Sequence, residues 1–144
     1  MTTTGISSFD STVIKTKNWL KHLQEHLHLD DEEQAYVTLR AVLHALRDRL
    51  SPDMAAKLGS QMPMLVRGIY YEGWHPGNKP LKIRDQQEFL DHVTQSLGRN
   101  MVPKLSNPIR LTEAVFKLLD SQLTEGEIES VKRTLPQQVR KLWP

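Results

Sequence analysis

Several features that would point to a function are missing from this sequence. It contains no cysteine, which excludes a disulfide framework, a thiol nucleophile and a thiolate metal site. No run of about eighteen apolar residues occurs, and this excludes a membrane-spanning helix. Lys and Arg number 19 against 17 Asp and Glu, so the net charge of +2 is too small to imply a polyanionic partner. We therefore expect an ordinary soluble protein.

The N-terminal residues lack the features of a targeting segment. Their sequence, MTTTGISSFDSTVIK, has neither the basic region nor the apolar stretch of a secretory signal. Residues 1–11 are small and polar, and we expect them to form a flexible N-terminus. Residues 12–144 are enough for a single domain with a substantial core. A cytoplasmic location follows from these expectations.

Catalytic and metal-binding motifs are missing as well. The chain has no GxSxG nucleophile turn, no glycine-rich phosphate loop and no HExxH motif. The spacing of His22, His26 and His28 could place two imidazoles on one face of a helix, but a solvent-exposed flank explains them better. We predict no catalytic residue, no metal and no other cofactor, and the sequence favours a protein that is not an enzyme.

The sequence does contain a long internal repeat. Residues 40–70 align without a gap with residues 113–143, at a constant offset of 73. A preceding segment is repeated too, because WLKHLQEHL at 19–27 matches FLDHVTQSL at 89–97 at an offset of 70. Within the longer pair the identical positions are Ala41/Ala114, Val42/Val115, Leu46/Leu119, Leu50/Leu123, Pro63/Pro136, Val66/Val139 and Arg67/Arg140. Such a repeat indicates one supersecondary unit used twice.

Helix signals recur at matching places in the two copies. Apolar spacing predicts a helix from Val13 through Leu27, and Asp30 with Glu33 indicates a capping-box start for a second helix through Leu50. Further caps and breaks are expected at Ser51-Pro52, Pro63, Asn107-Pro108, Thr124-x-x-Glu127 and Pro136. We predict an all-α helical bundle of two tandem repeats of a roughly four-helix unit. The units span residues 12–71 and 86–144, with a connector at 72–85.

The connector is the strongest candidate for a binding site. Its sequence from 72 to 84, EGWHPGNKPLKIR, shows no helical period and mixes aromatic with basic residues. The predicted binding residues, in the connector and in the segment that enters it, are Arg67, Tyr71, Trp74, His75, Lys79, Lys82 and Arg84. Aromatic planes among cations can stack on bases, bind phosphates or anchor a protein partner. Alternatively, Tyr70 and Trp74 pack between the units, and Tyr70 favours this because it aligns with Trp143.

The end of the central helix supplies two more candidates, Arg47 and Arg49. They flank Asp48 and occur in one copy only. Alternatively, Asp48 points inward, because it follows Ala45 by three residues and Ala41 by seven, and pairs with an arginine. Arg67 recurs as Arg140 and is expected to have a structural role in both copies. We interpret the chain as a non-enzymatic protein-interaction or scaffold module that binds a protein partner or itself. The alternative is a nucleic-acid-binding protein that uses the aromatic and basic residues of 67–84.

The sequence resembles a known family. A W-L helix is followed by patterns of the form AVLxxLRDRL, QLPxxxRGxYYxGW, eFlxxV and GEIxxVxxxLPxxxRxLwP, which here run from Trp19 to Pro144. These patterns are similar to the bacterial domain-of-unknown-function family number 2267. Met62 departs from the more usual Leu, a conservative difference. The resemblance implies a small helical bacterial cytoplasmic protein with no assigned activity, ligand or catalytic residue.

Overall fold

The computed structural model describes residues 3–98, 105 and 107–144. Within these residues the chain forms eight α-helices and one 3-10 turn, with no β-strand. The helices are α1 (Ser7–Leu27), α2 (Glu32–Arg49), α3 (Pro52–Ser60), α4 (Met64–Tyr71), α5 (Gln86–Leu97), α6 (Pro108–Gln122), α7 (Glu125–Thr134) and α8 (Gln137–Arg140). The 3-10 turn, Pro76–Asn78, lies between α4 and α5. The predicted all-α class is confirmed, and none of the helices described is long and apolar enough to cross a membrane.

Two helix starts differ from the sequence expectation. Helix α1 begins at Ser7, so residues 7–11 are helical and the boundary predicted at residue 12 lies too late. Helix α2 is capped by Asp31, whose side chain accepts a hydrogen bond from the backbone N–H of Gln34 at 2.9 Å. The Gln34 side chain in turn accepts from the N–H of Asp30 at 3.0 Å. The prediction of an Asp30 and Glu33 capping box was therefore wrong by one residue.

The other predicted caps are confirmed. The side chains of Ser51, Asn107 and Thr124 each accept a hydrogen bond from the backbone N–H three residues later, at the starts of α3, α6 and α7. Pro63 and Pro136 occupy the positions immediately before α4 and α8. Since an N-terminal cap satisfies donors that the helix leaves free, these residues fix where each helix begins.

Helix α2 is the centre of the core, and nearly every side chain from Thr38 to Asp48 is buried. Helix α5 packs mainly against α2, and α1 packs against both α2 and α6. In the predicted division, α1 and α2 belong to the first unit, whereas α5 and α6 belong to the second. The helices of the two predicted units therefore mix in one hydrophobic core.

Tyr70 and Trp143, which align in the repeat, are both buried and both use their polar atoms inside the fold. The Tyr70 hydroxyl donates to the carbonyl of Ala55 at 2.8 Å. The Trp143 Nε1 donates to Asp120 Oδ1 at 2.8 Å, and its ring stacks on Phe116 with centroids 4.1 Å apart. Both residues therefore pack in the core, as the alignment of Tyr70 with Trp143 indicated.

Candidate functional site

Arg47, a predicted binding residue, is buried at the C-terminal end of α2, with 5% of its surface exposed. Its Nη1 donates to the carbonyls of Tyr70 and Glu72, each at 2.6 Å. Its Nε donates to Asp48 Oδ1 at 3.1 Å. The last carbonyls of a helix have no partner within that helix, and a guanidinium can supply several donors at once. Arg47 thus fastens the end of α4 to α2.

The rest of the connector is held by the same end of α2. Arg49 Nε donates to the carbonyl of Ile83 at 2.6 Å, and burial lowers the pKa of this arginine. The backbone N–H of Leu81 donates to the carbonyl of Asp48 at 2.8 Å. These contacts fix residues 81–83 against α2. Arg49, like Arg47, therefore donates to the chain's own backbone.

Asp48 lies between two cationic or potentially cationic side chains. Its Oδ1 accepts from Arg47, and its Oδ2 lies 2.9 Å from Nε2 of His92 on α5. Burial by itself would raise the pKa of Asp48, but the hydrogen bond from His92 and the positive charge of Arg47 outweigh it, so the pKa is lowered. The result is a buried carboxylate that joins α2 to α5.

Sequence reasoning missed His92, although the alignment contains a signal for it. His92 matches His22 at the offset of 70, and the two occupy equivalent places on α5 and α1. His22 borders a hollow on α6 that includes Ser121, the residue aligned with Asp48. His92 therefore has a carboxylate partner in Asp48, whereas the aligned position beside His22 is a serine.

A carboxylate–imidazole pair can activate a nucleophilic hydroxyl in an enzyme. Within residues 3–98, 105 and 107–144 no hydroxyl is hydrogen-bonded to His92.

His44, one turn before Asp48 on α2, is a second buried imidazole. It is 6% exposed, and its Nε2 lies 2.7 Å from the carbonyl oxygen of Ile69. A carbonyl only accepts hydrogen bonds, so Nε2 carries the proton. Burial lowers the pKa of His44, with a smaller opposing effect from this hydrogen bond. His44 is therefore a neutral link between α2 and α4.

The aromatic residues of the connector pack against one another and against α3. The ring of Tyr71 lies 4.9 Å from that of Tyr70 and 5.5 Å from that of Trp74, measured between centroids. Tyr71 and Trp74 are only partly exposed and pack on the hydrophobic core. These contacts lie within the first predicted unit and the start of the connector, so the rings pack in the fold rather than forming an open stacking surface. Packing of Tyr70 and Trp74 between the two units stays a prediction.

Arg67 is exposed, but its guanidinium also contacts backbone oxygens. It donates to the carbonyls of Gly59, Ser60 and Met62 at 3.1, 3.4 and 3.1 Å. Its aligned residue, Arg140, donates to Leu135, which is again the carbonyl five residues earlier, at 3.3 Å. Both arginines thus make the repeated structural contact that the alignment indicated.

Four predicted residues keep a more open position. His75, Lys82 and Arg84 are exposed, and Lys79 is half-buried with its Nζ donating to Asn78 Oδ1 at 2.7 Å. Nucleic-acid binding through the residues of 67–84 stays a prediction.

Exposed apolar side chains that the sequence did not reveal lie on the first half of α1 and at the start of α4. Six large ones are 41–52% exposed: Ile6, Phe9, Val13, Ile14, Met64 and Leu65. We call them the α1–α4 patch. The backbone N–H of Leu65 donates to Thr12 Oγ1 at 2.8 Å, which holds the start of α4 beside α1. Sequence reasoning assigned residues 6–9 to a flexible segment, so their helical apolar spacing was not considered.

Cofactor sites are not apparent in the part of the chain that the structure describes. No three His, Asp or Glu side chains converge there as a metal ion requires. A groove of about 340 Å³ runs between α3 and α7, with Lys57 and Glu127 at its edge. Glu127 is used locally, because its Oε1 accepts from the backbone and hydroxyl of Thr124 in a capping box.

Comparison with known families agrees with the helical pattern. A family model described as "Uncharacterized conserved protein (DUF2267)" matches residues 16–142. The chain belongs to the DUF2267 family. The resemblance noted in the sequence is thereby confirmed, and the description of DUF2267 assigns no activity. No curated protein matches the chain. The DUF2267 match contains Met64 and Leu65 of the α1–α4 patch, whereas Ile6 through Ile14 precede it.

Proposed function

We propose that this DUF2267 protein is a non-enzymatic protein-interaction module whose contact surface is the α1–α4 patch. One observation carries the proposal, namely the exposure of 41–52% at each of six large apolar side chains from two adjacent helices. Exposed apolar side chains on adjacent helices are candidates for association, because a partner that covers them removes apolar surface from water. In contrast, Arg47, Arg49 and Arg67 donate to the chain's own backbone carbonyls, and Tyr71 and Trp74 pack on the hydrophobic core.

The proposal includes a scaffold built from a duplicated four-helix unit, in a bacterial cytoplasmic setting. The caps of α3 and α7, the prolines before α4 and α8, and the carbonyl contacts of Arg67 and Arg140 each occur at an offset of 73, which supports duplication. The bonds from Arg47 and Arg49 to connector carbonyls support a rigid scaffold, since they fix the longest irregular segment between described helices.

A capture experiment with a matched control tests the proposed function. Three tagged baits are compared: the wild type, a Phe9→Ser/Val13→Ser variant and an Ile109→Ser variant. The proteins that each bait binds are identified by mass spectrometry. Ile109 is 42% exposed, as is Val13, but it lies on α6 outside the patch. We expect wild type and Ile109→Ser to retain the same partner and the double variant to lose it. Equal capture by all three baits would show that the patch is not the contact surface.

A further inference from the structure

We propose that the α1 side of the α1–α4 patch binds a second copy of this chain, with the two α1 helices antiparallel across a two-fold axis. This inference rests on the proposed function, because it names the partner of the same surface. A two-fold interface pairs one surface with itself, so the surface must be complementary to its own rotated copy. The N-terminal half of α1 has this property.

The relevant stripe runs along the N-terminal half of α1. Ile6, Asp10, Val13, Ile14 and Lys17 are spaced by three, four or one residues and share one side of the helix. The apolar members are 42–49% exposed. The buried residues of α1 begin only at Thr16, so the stripe extends beyond the part of the helix that the core covers.

The charges on this stripe determine the orientation. Asp10 and Lys17 lie equally far from the midpoint between Val13 and Ile14, with about 10 Å between them along the helix axis. Antiparallel pairing about that midpoint places Asp10 of each copy opposite Lys17 of the other, and Val13 opposite Ile14. Parallel pairing would place equal charges opposite each other, which is unfavourable. The pattern therefore favours the antiparallel pair.

Existing contacts leave both charges able to take part. Lys17 Nζ lies 3.2 Å from Glu32 Oε2, but the two side chains are 61% and 43% exposed, and such surface pairs contribute little. Asp10 accepts from the N–H and hydroxyl of Thr4 through Oδ1 alone, at 2.8 and 3.0 Å. Lys17 can thus contact both Glu32 and the second copy's Asp10.

The size of the stripe sets the expected strength of the dimer. Its three apolar side chains present less surface than the roughly 800 Å² per partner that a standard specific interface buries. We therefore expect a reversible dimer that forms as concentration rises.

Charge reversal provides a sharp test by analytical ultracentrifugation over a concentration series. Wild type is expected to shift from monomer to dimer, whereas Asp10→Lys and Lys17→Asp alone associate at least about tenfold more weakly, because like charges face each other. An equimolar mixture of the two variants restores opposite charges at both positions, so it should recover dimerisation. Circular dichroism establishes that each variant keeps its helical content.

Asp10→Lys also removes the hydrogen bonds from Thr4 and so could reduce the helical content. Two further variants test the dimer without changing Asp10. Val13→Asp at the centre of the stripe should abolish the dimer, and Ile109→Asp should leave it intact. Wild type that stays monomeric at every concentration overturns the second-copy inference, while patch-dependent capture of another protein would still support the proposed function. A wild-type dimer that Val13→Asp does not weaken, or a mixture that fails to recover, overturns the antiparallel arrangement.

Discussion

Asp48 Oδ2 lies 2.9 Å from His92 Nε2, and this contact joins α2 to α5, helices that belong to different sequence repeats. The other carboxylate oxygen accepts from Arg47, whose guanidinium also holds the end of α4. One buried carboxylate thus connects three helices. A buried charge that loses its partner is strongly destabilising, so we expect the stability of this region to be sensitive to replacement of Asp48 or Arg47.

Replacing Asp48 is expected to destabilise the fold strongly. Asp48→Ala leaves the Arg47 guanidinium buried without its carboxylate, and breaking a buried pair costs about 3–5 kcal/mol. Urea unfolding followed by circular dichroism measures the loss. Asp91→Ala serves as the control, because Asp91 is exposed on α5 and accepts from Gln87; a change within about 0.5 kcal/mol is expected there. Equal losses for the two variants would contradict the proposed role of Asp48.

His44 predicts a pH dependence in the mildly acidic range. Burial lowers its pKa below the ordinary 6.5, so the unfolded chain binds a proton more readily than the folded chain does. The stabilisation of the folded chain by neutral His44 is fully present above pH 6.5, and it is lost as the pH falls from 6.5 toward the lowered pKa. His44→Gln, which keeps a hydrogen-bond donor, lacks this titration. The free energy of unfolding should therefore differ less between wild type and His44→Gln at pH 5 than at pH 7.5. A constant difference across this range would contradict the prediction.

The local structure could be predicted from the sequence to a considerable extent. Ser51, Asn107 and Thr124 cap helices where expected, because a cap depends on residues three positions apart. The start of α1 was missed because its cap residue, Ile6, makes no side-chain cap hydrogen bond, and so no polar residue marks the boundary.

The candidate site was less predictable, for a physical reason. The sequence indicated that Asp48 pairs with an arginine, and Arg47 is that partner. The other acceptors of Arg47 are the backbone carbonyls of residues 70 and 72, which no sequence pattern marks because every residue has a carbonyl. The contact between Asp48 and His92 depends on how α5 docks on α2. A repeat shows which segments are alike, but it does not show which helices pack together. The α1–α4 patch escaped notice for the same reason, since exposure is a property of the packed fold.

The aligned arginines allow a test of the repeated contact. Arg67→Ala removes hydrogen bonds to three carbonyls, whereas Arg140→Ala removes one at 3.3 Å. A charge-assisted bond to a partly exposed carbonyl contributes about 1 kcal/mol, so Arg67→Ala should cost roughly 1–2 kcal/mol and Arg140→Ala less than about 1. Thermal and urea unfolding of the two variants measure the losses. A greater loss for Arg140→Ala would show that the two contacts are not equivalent in kind.

Gly59 and Gly68 provide a matched test of how tightly Tyr70 and Tyr71 pack against α3. A methyl group at Gly59 on α3 would lie 2.7 Å from Cζ of Tyr71 and 2.9 Å from Cε2 of Tyr70, closer than real contacts allow. Gly68 on α4 has no atom within 4 Å of the same position. Gly59→Ala must displace the two rings and is expected to cost about 1–3 kcal/mol.

Gly68→Ala should act in the opposite direction, because alanine favours a helix interior by roughly 0.5–1 kcal/mol over glycine. Both variants add one methyl group to a helix, so the difference between them isolates the contact with Tyr70 and Tyr71. Urea unfolding measures the free energies, and tyrosine fluorescence or near-ultraviolet circular dichroism reports displacement of the rings. If Gly59→Ala stabilised the protein as much as Gly68→Ala, the Tyr71 ring would be free to move away from α3 and would again be available to a partner.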